Sequence, residues 1–194
     1  MEQLNTNNHT IILGSKSPRR IELMNMMGFP FRVETLDIEE SYPKSLSPIQ
    51  VAIYLSKKKA SHYLIKKNEI IICADTIVYS GGTILEKPQS NEEAVKMLKY
   101  ISNQRHFVVT GVTFKTDRQT ISIYERSIVY FKNLTSDEIK YYIQNYNPLD
   151  KAGGYGIQDW IGLIGIKKIS GSFYNVMGLP TFKVYEYLNK LTQT

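Results

Sequence analysis

The sequence has 194 residues, 42% of them hydrophobic and 11% aromatic, which is enough apolar material for one packed domain, or a domain with two lobes, without disulfide or metal staples. A single cysteine, Cys73, excludes an intrachain disulfide, and no run nears the roughly 18 apolar residues of a membrane span. The formal net charge of +6 is open to three readings: solubility, a small phosphate-bearing ligand, or nucleic acid. The basic residues are spread along the chain, and no zinc finger, heptad repeat or RNA-binding aromatic motif accompanies them.

Residues 1–9 are polar and lack the apolar core of a signal peptide, so a cytoplasmic protein is expected. Thr10-Ile11-Ile12-Leu13 predicts a first buried strand, and Gly14-Ser15-Lys16-Ser17 a turn. Ser17 as N-cap and Pro18 at the first helical position then open a helix that Gly28 ends. Residues 31–35 read as a second strand. Ser47-Pro48-Ile49-Gln50 is a capping-box start for a helix to about residue 64, with Ile49, Ala52, Ile53, Ala60 and Leu64 on its apolar face. Residues 69–74 are almost continuously apolar, as in a strand buried on both faces, and Cys73 within them reads as a small core residue.

Ile77-Val78-Tyr79 and Thr83-Ile84-Leu85 flank Gly81-Gly82 as a hairpin. Ser90-Asn91-Glu92-Glu93 starts a helix to about residue 101. Two long β segments, residues 107–115 and 120–131, are joined by the turn Thr116-Asp117-Arg118-Gln119. Thr135 and Glu138 cap a helix that stops before Pro148. A glycine-rich loop, a strand near residues 164–169, a second glycine loop and a C-terminal helix follow. Strands and helices interleave throughout, which predicts an α/β or α+β sheet protein.

Several segments are chemically suggestive. In Ser15-Lys16-Ser17-Pro18-Arg19-Arg20 a strand feeds a polar loop and then a helix start. Backbone N–H groups, two hydroxyls and two guanidinium forks can hold a phosphate there, or the segment is a capped helix with two solvated arginines. Asp75, read as lying just past the carboxyl end of the buried strand, can hold a divalent metal, polarise a water, or simply cap loop amides. Lys87, before Pro88, can neutralise charge on a phosphoryl group or form a surface pair. Lys57, Lys58 and Lys59 sit about 100° apart on the second helix, with Lys58 pointing furthest from the apolar stripe. Asp37, Glu39 and Glu40 are candidate magnesium ligands or a solvated loop.

In Lys151-Ala152-Gly153-Gly154-Tyr155-Gly156-Ile157-Gln158 the glycines allow close backbone approach, Tyr155 can stack on a base, and the Gln158 amide can read a base edge. Residues 171–180 form a similar loop. His9, His62 and His106 have no metal-ligand spacing, and neither a Walker loop nor a dinucleotide glycine motif is present.

Taken in order, Ser15-Lys16-Ser17-Pro18-Arg19-Arg20, Lys59-Ala60, Ala74-Asp75-Thr76-Ile77-Val78, Leu85-Glu86-Lys87-Pro88, Leu149-Asp150-Lys151-Ala152-Gly153, Tyr155-Gly156-Ile157-Gln158 and Gly171-Ser172-Phe173-Tyr174 with Gly178-Leu179-Pro180 resemble the Maf family of nucleotide pyrophosphatases. The resemblance implies a single α/β domain over residues 1–194. Its sheet is expected to be mixed, largely parallel and twisted, with flanking helices and two lobes around a central cleft, as in inosine-triphosphatase-like folds. It also implies metal-dependent hydrolysis, with Mg2+ or Mn2+, of the α–β phosphoanhydride of a nucleoside triphosphate. Asp75 is implied as the base that activates water. Arg19, Arg20, Lys59 and Lys87 are implied as contacts to the triphosphate, alongside the Ser15 and Ser17 hydroxyls, and Glu39 or Glu40 as a metal ligand with Asp75.

Arg19, Thr76 and Gln158 match the family's specificity positions and resemble the subgroup acting on dTTP and UTP. Gly154 and Phe173 depart from the alanine and tyrosine common at their positions. The expected partner is a small nucleotide rather than nucleic acid or membrane, and the resemblance implies a homodimer. The alternatives are a non-catalytic regulator of cell division, a pyrophosphatase for 7-methyl-GTP or purine nucleotides, and a nucleic-acid-binding protein.

Overall fold

Hydrophobic runs of two kinds build the fold: a fully apolar one that becomes the sheet's interior, and amphipathic ones that become helices. The structure, a computed structural model, describes residues 4–193. Residues 1–3 of the polar N-terminal stretch, and residue 194, lie outside the described residues. The strands are β1 (Thr10–Leu13), β2 (Phe31–Val33), β3 (Glu69–Ser80), β4 (Thr83–Leu85), β5 (Arg105–Lys115), β6 (Thr120–Phe131) and β7 (Ile166–Ser170). The helices are α1 (Pro18–Met26), α2 (Pro48–Ser61), α3 (Asn91–Ile101), α4 (Ser136–Asn145), α5 (Trp160–Gly165), α6 (Phe173–Met177) and α7 (Thr181–Thr192). The sheet runs β2-β1-β3-β5-β6-β7, with β4 on β3. It is mixed, as expected: β1 pairs in parallel with β2 and β3, whereas β3–β4 and β6–β7 are antiparallel.

The chain divides into two compact units. Among the described residues, the first comprises residues 4–75, 110–125 and 178–193, and the second residues 76–109 and 126–177. In the first unit, Ile12, Ala60, Tyr63, Ile71 and Cys73 pack as one core cluster. Helix α2 lies so close to β5 that a Cβ on Gly111 would sit 2.4 Å from the Ala52 carbonyl oxygen. Glycine at position 111 is what lets the two backbones meet. Deeper in this packing the Thr113 hydroxyl lies 2.9 Å from both the Ser56 and the Ser122 hydroxyls, so the polar atoms satisfy one another. The second unit buries Leu98, Ile101, Val108, Phe131, Ile139, Tyr142, Tyr155 and Ile161.

Three expectations need correction. Strand β3 does not stop at residue 74 but continues unbroken through Asp75 to Ser80, and its last three residues, Val78, Tyr79 and Ser80, are the ones that pair with β4. The parallel ladder with β1 does end early, at Leu13↔Ile72, so Asp75 still lies beyond the carboxyl end of that ladder. Helix α2 ends at Ser61, and Leu64, expected on its apolar face, is 97% exposed. The Ser61 hydroxyl and His62 Nδ1 both lie 2.7 Å from the Lys58 carbonyl oxygen and close the last turn.

Finally, residues 164 and 165, expected as the start of a strand, lie instead at the end of helix α5, and the strand begins at Ile166. A Cβ on Gly162 would fall 1.9 Å from the Ile157 carbonyl oxygen, so only glycine allows this tight turn. Among the described residues, no helix is long and apolar enough to cross a membrane.

Candidate active site

In the first unit the site begins where β1 ends. The Gly14 amide donates to the Ile72 carbonyl at 2.8 Å and carries the ladder one residue further. A Cβ on Gly14 would lie 2.6 Å from Cys73 Sγ, so the loop leaves the strand pressed against the core. Ser15 is buried, and its hydroxyl accepts from the Ser17 amide at 3.2 Å and from Arg20 Nη1 at 3.4 Å. Ser17 does occupy the N-cap of α1, ahead of Pro18, but its side chain makes no capping hydrogen bond. The expected cap is therefore a matter of backbone geometry only.

The Arg20 guanidinium is held at its other edge by the Gly178 carbonyl, which accepts from Nε at 2.9 Å. Burial lowers the Arg20 pKa from its ordinary value, and Asp75 opposes that shift. Two tethers and an anionic neighbour thus aim one fork of the arginine pair, and Arg19 sits half-buried beside it on α1.

Asp75 is buried in β3. The Lys59 ammonium, from α2, lies 2.5 Å from Asp75 Oδ1 and 2.7 Å from Glu40 Oε1, with only 15% of the lysine side chain exposed. Burial pushes the Asp75 carboxyl above the usual carboxylate range, while Lys59 and Arg20 pull it back down. Both glutamates expected as metal ligands are exposed, and it is Glu40 whose carboxylate reaches Lys59. Asp37 instead pairs with Lys16 at the surface. Lys58 points its ammonium at Ser41, 3.0 Å from the hydroxyl.

The carboxylates of Glu40 and Asp75 converge on one cation, so they suit a divalent ion. Magnesium typically takes one or two carboxylates and completes its shell with water and phosphate oxygens. No group of three or more acidic, histidine or cysteine side chains among the described residues forms a cage by itself.

In the second unit, Thr76 continues β3, half-buried, and Lys87 is exposed just after β4. The turn that carries Lys87 is pinned on both sides. The Gly153 amide donates to the Glu86 carbonyl at 3.1 Å, and Gln89 Nε2 to the Lys87 carbonyl at 3.1 Å. Gly153 and Gly154 both adopt left-handed backbone, with φ of 73° and 75°, a conformation natural to glycine.

Lys151 is buried. Its ammonium donates to the Asn147 carbonyl and to Asp150 at 2.8 Å, with Asp159 at 3.6 Å. Gln158 is exposed, and its Nε2 donates to Asp159 Oδ1 at 3.1 Å.

Tyr155, expected as a base-stacking ring, is core instead. It is 5% exposed, its hydroxyl lies 2.6 Å from His106 Nε2, and its ring meets Phe131 edge to face. The apolar residues around it supplied more burial than a loop tyrosine usually finds. His106 itself is fully buried, and burial pushes its pKa down to about 4. Phe173, in contrast, is 40% exposed and packs edge to face on Tyr174.

Sequence reasoning did not single out Asp159 or Tyr142. An acidic residue directly before an apolar run reads as a helix cap, and a tyrosine at helical spacing reads as core.

Fold and site together define a mixed α/β protein that gathers a guanidinium, hydroxyls and a lysine-bridged carboxylate pair, the donors and acceptors suited to a phosphorylated ligand. A family model described as Maf-like protein matches residues 10–191, and the chain belongs to that family. A Bacteroides thetaiotaomicron protein named dTTP/UTP pyrophosphatase is 47% identical over 190 residues, which span 96% of this chain and 98% of that one. A Cytophaga hutchinsonii protein of the same name is 47% identical over 187 residues, spanning 95% of this chain and 85% of the other. Among solved structures, the Staphylococcus aureus Ham1 protein aligns with a TM-score of 0.43 and 16% identity, over 63% of this chain and 71% of that one.

Proposed function

We propose that this protein hydrolyses the α–β phosphoanhydride of pyrimidine nucleoside triphosphates, dTTP and UTP foremost, to the nucleoside monophosphate and pyrophosphate. The observation that carries the reading is the buried Asp75, tethered by Lys59 and flanked by Arg20. A carboxylate whose pKa is pushed up by burial, with neighbouring cations opposing the rise, is suited to the work of a general base. The names of the relatives and the match at Arg19, Thr76 and Gln158 support the choice of nucleotide.

Asp75 takes a proton from water as the water oxygen bonds to phosphorus. The bridging P–O bond then breaks, and the electron pair leaves with pyrophosphate. Arg19, Arg20 and Lys87 are assigned to the negative charge of the triphosphate, which grows on the leaving group. The Ser15 and Ser17 hydroxyls donate to phosphate oxygens. Lys59 holds Asp75 and Glu40 in register, and the Gln158 amide reads the base edge. Glu40 and Asp75 would hold a bound Mg2+ or Mn2+, which supplies charge neutralisation of the phosphates. The reading carries with it a cytoplasmic location, where nucleoside triphosphates are found, and a homodimer that light scattering can test.

The test is pyrophosphate release by the purified protein with Mg2+ or Mn2+ over dTTP, UTP, CTP, ATP, GTP and 7-methyl-GTP. Turnover of dTTP and UTP that disappears in Asp75→Asn supports the reading. Activity confined to 7-methyl-GTP or to purines overturns the choice of nucleotide. A folded protein that turns over nothing returns the chain to a regulatory role.

A further inference from the structure

Helix α5 has an acidic N-cap residue that does no capping. Asp159 occupies that position, yet its side chain makes no bond to the helix amides. Both of its carboxylate oxygens are spent elsewhere. Oδ2 accepts from the Tyr142 hydroxyl at 2.7 Å and lies 3.6 Å from the Lys151 ammonium, and Oδ1 accepts from Gln158 Nε2 at 3.1 Å. The Tyr142 hydroxyl is itself fixed, because it accepts from the Gly156 amide at 3.1 Å. Gly156 leaves no slack beneath the pair: a Cβ there would lie 2.6 Å from Asp159 Oδ2 and 2.9 Å from Gln158 Nε2. Only 14% of the Asp159 side chain is exposed, whereas Gln158 is exposed.

A glutamine amide is ambidextrous: rotated by half a turn, it exchanges its acceptor for its donors. A free amide therefore reads uracil or thymine, which offer N3–H beside a carbonyl. Flipped, it reads cytosine at the same place, where an unprotonated N3 lies beside an amino group. A carboxylate removes that freedom, because it only accepts hydrogen bonds. The amide nitrogen must face Asp159, and the flipped form would set two oxygens against each other about 3 Å apart.

We infer that Asp159 is a specificity-determining residue, locking the Gln158 amide in the one orientation that matches thymine and uracil and rejects cytosine. The inference rests on the reading that Gln158 meets the base, and on sugar and triphosphate holding the base at one position. Tyr142 and Lys151 serve as positioning residues for the lock.

The test compares kcat/KM for dTTP and CTP in the unaltered protein, Asp159→Asn, Asp159→Ser, Gln158→Ala and the double variant Gln158→Ala with Asp159→Asn. Asparagine and serine can each donate or accept, so they free the amide. Lys151 keeps Asp150 as partner at 2.8 Å in both, and thermal unfolding checks that each variant folds. The dTTP-to-CTP preference should drop by roughly tenfold in both single Asp159 variants, chiefly through a gain on CTP, the scale of one charge-assisted hydrogen bond. On the Gln158→Ala background the Asp159 change should have no further effect.

A merely structural role would lower both substrates together and leave the ratio alone. If Gln158→Ala shifts the ratio and the Asp159 variants do not, the lock is wrong while base reading by Gln158 stands. If Gln158→Ala leaves the ratio unchanged, the base reading fails and the lock with it. Equal use of CTP and dTTP by the unaltered protein also overturns the inference.

Discussion

The Lys59 ammonium sits 2.5 Å from Asp75 Oδ1, and the same nitrogen reaches Glu40 Oε1 at 2.7 Å. One cation from α2 therefore binds two carboxylates that come from different segments of the first unit. Removing the charge at Asp75 alone isolates the role of the base. Asp75→Asn should lose roughly 10²- to 10⁴-fold in turnover, the usual contribution of a positioned general base. It should still bind nucleotide within a few-fold, as read by calorimetric titration. Turnover within a factor of three of the unaltered protein would sink the assignment.

Removing the cation should act on stability as well as on rate. Lys59→Met leaves the Asp75 carboxylate buried without its nearest counter-charge, at a cost of about 2 kcal/mol in urea unfolding. Adding Glu40→Gln to that variant should recover part of the loss, because one of the two repelling carboxylates is then neutral. A strictly additive double variant would mean that the two acids do not share the lysine.

His106 makes a stability prediction with a definite sign. Its pKa falls from 6.5 to about 4 in the folded chain because burial disfavours the imidazolium. Between those values the unfolded chain binds more protons than the folded one, so stability rises with pH across the window. On acidification from pH 6.5 to 4 the folded state should lose up to about 3 kcal/mol through this group. Urea unfolding at a series of pH values should show the slope, and His106→Gln should flatten it over that window.

The glycine pair in the loop before Gln158 distinguishes two kinds of cost. Gly153 has φ 73° and a Cβ there would lie 3.0 Å from Val78 Cγ1, whereas at Gly154, φ 75°, the nearest atom is Ala94 Cα at 3.6 Å. Gly154→Ala should therefore cost only the backbone strain, roughly 1 kcal/mol. Gly153→Ala should cost more, and should also lower turnover, because the Gly153 amide holds the Glu86 carbonyl next to Lys87. Equal destabilisation of the two variants, measured by chemical denaturation, would show that the Val78 contact is absorbed by local movement.

Much of this was legible in the chain itself. Capping boxes at Ser47 and Thr135 formed as their spacing dictates, and β6 runs over the residues that its hydrophobic pattern marks. Local chemistry determines such features, so local reading finds them. Asp75 was legible as a candidate, but not as a strand residue, because the polar pair Asp75-Thr76 interrupts the apolar run and reads as a loop, whereas β3 passes through it unbroken into the arm that pairs with β4. Tyr155 was misread because a glycine-flanked aromatic ring looks exposed until His106 and Phe131, distant in sequence, close over it. The choice between Glu39 and Glu40 depends on which carboxylate meets a lysine some 20 positions away, and no local pattern encodes that meeting.

Cys73 has a further consequence. Its thiol is fully buried and pushed up to about 12 by that burial, and it faces Gly14 and Tyr63 two residues ahead of Asp75. With one such atom in the chain, a thiol-reactive dye has a single target, and that target is sealed while β1 and β3 stay paired. The rate of labelling then becomes a stopwatch for the opening of the strands beneath the acid. It can be run on the unaltered protein, with no engineered probe, and its slowing by nucleotide would report how firmly the ligand clamps the sheet.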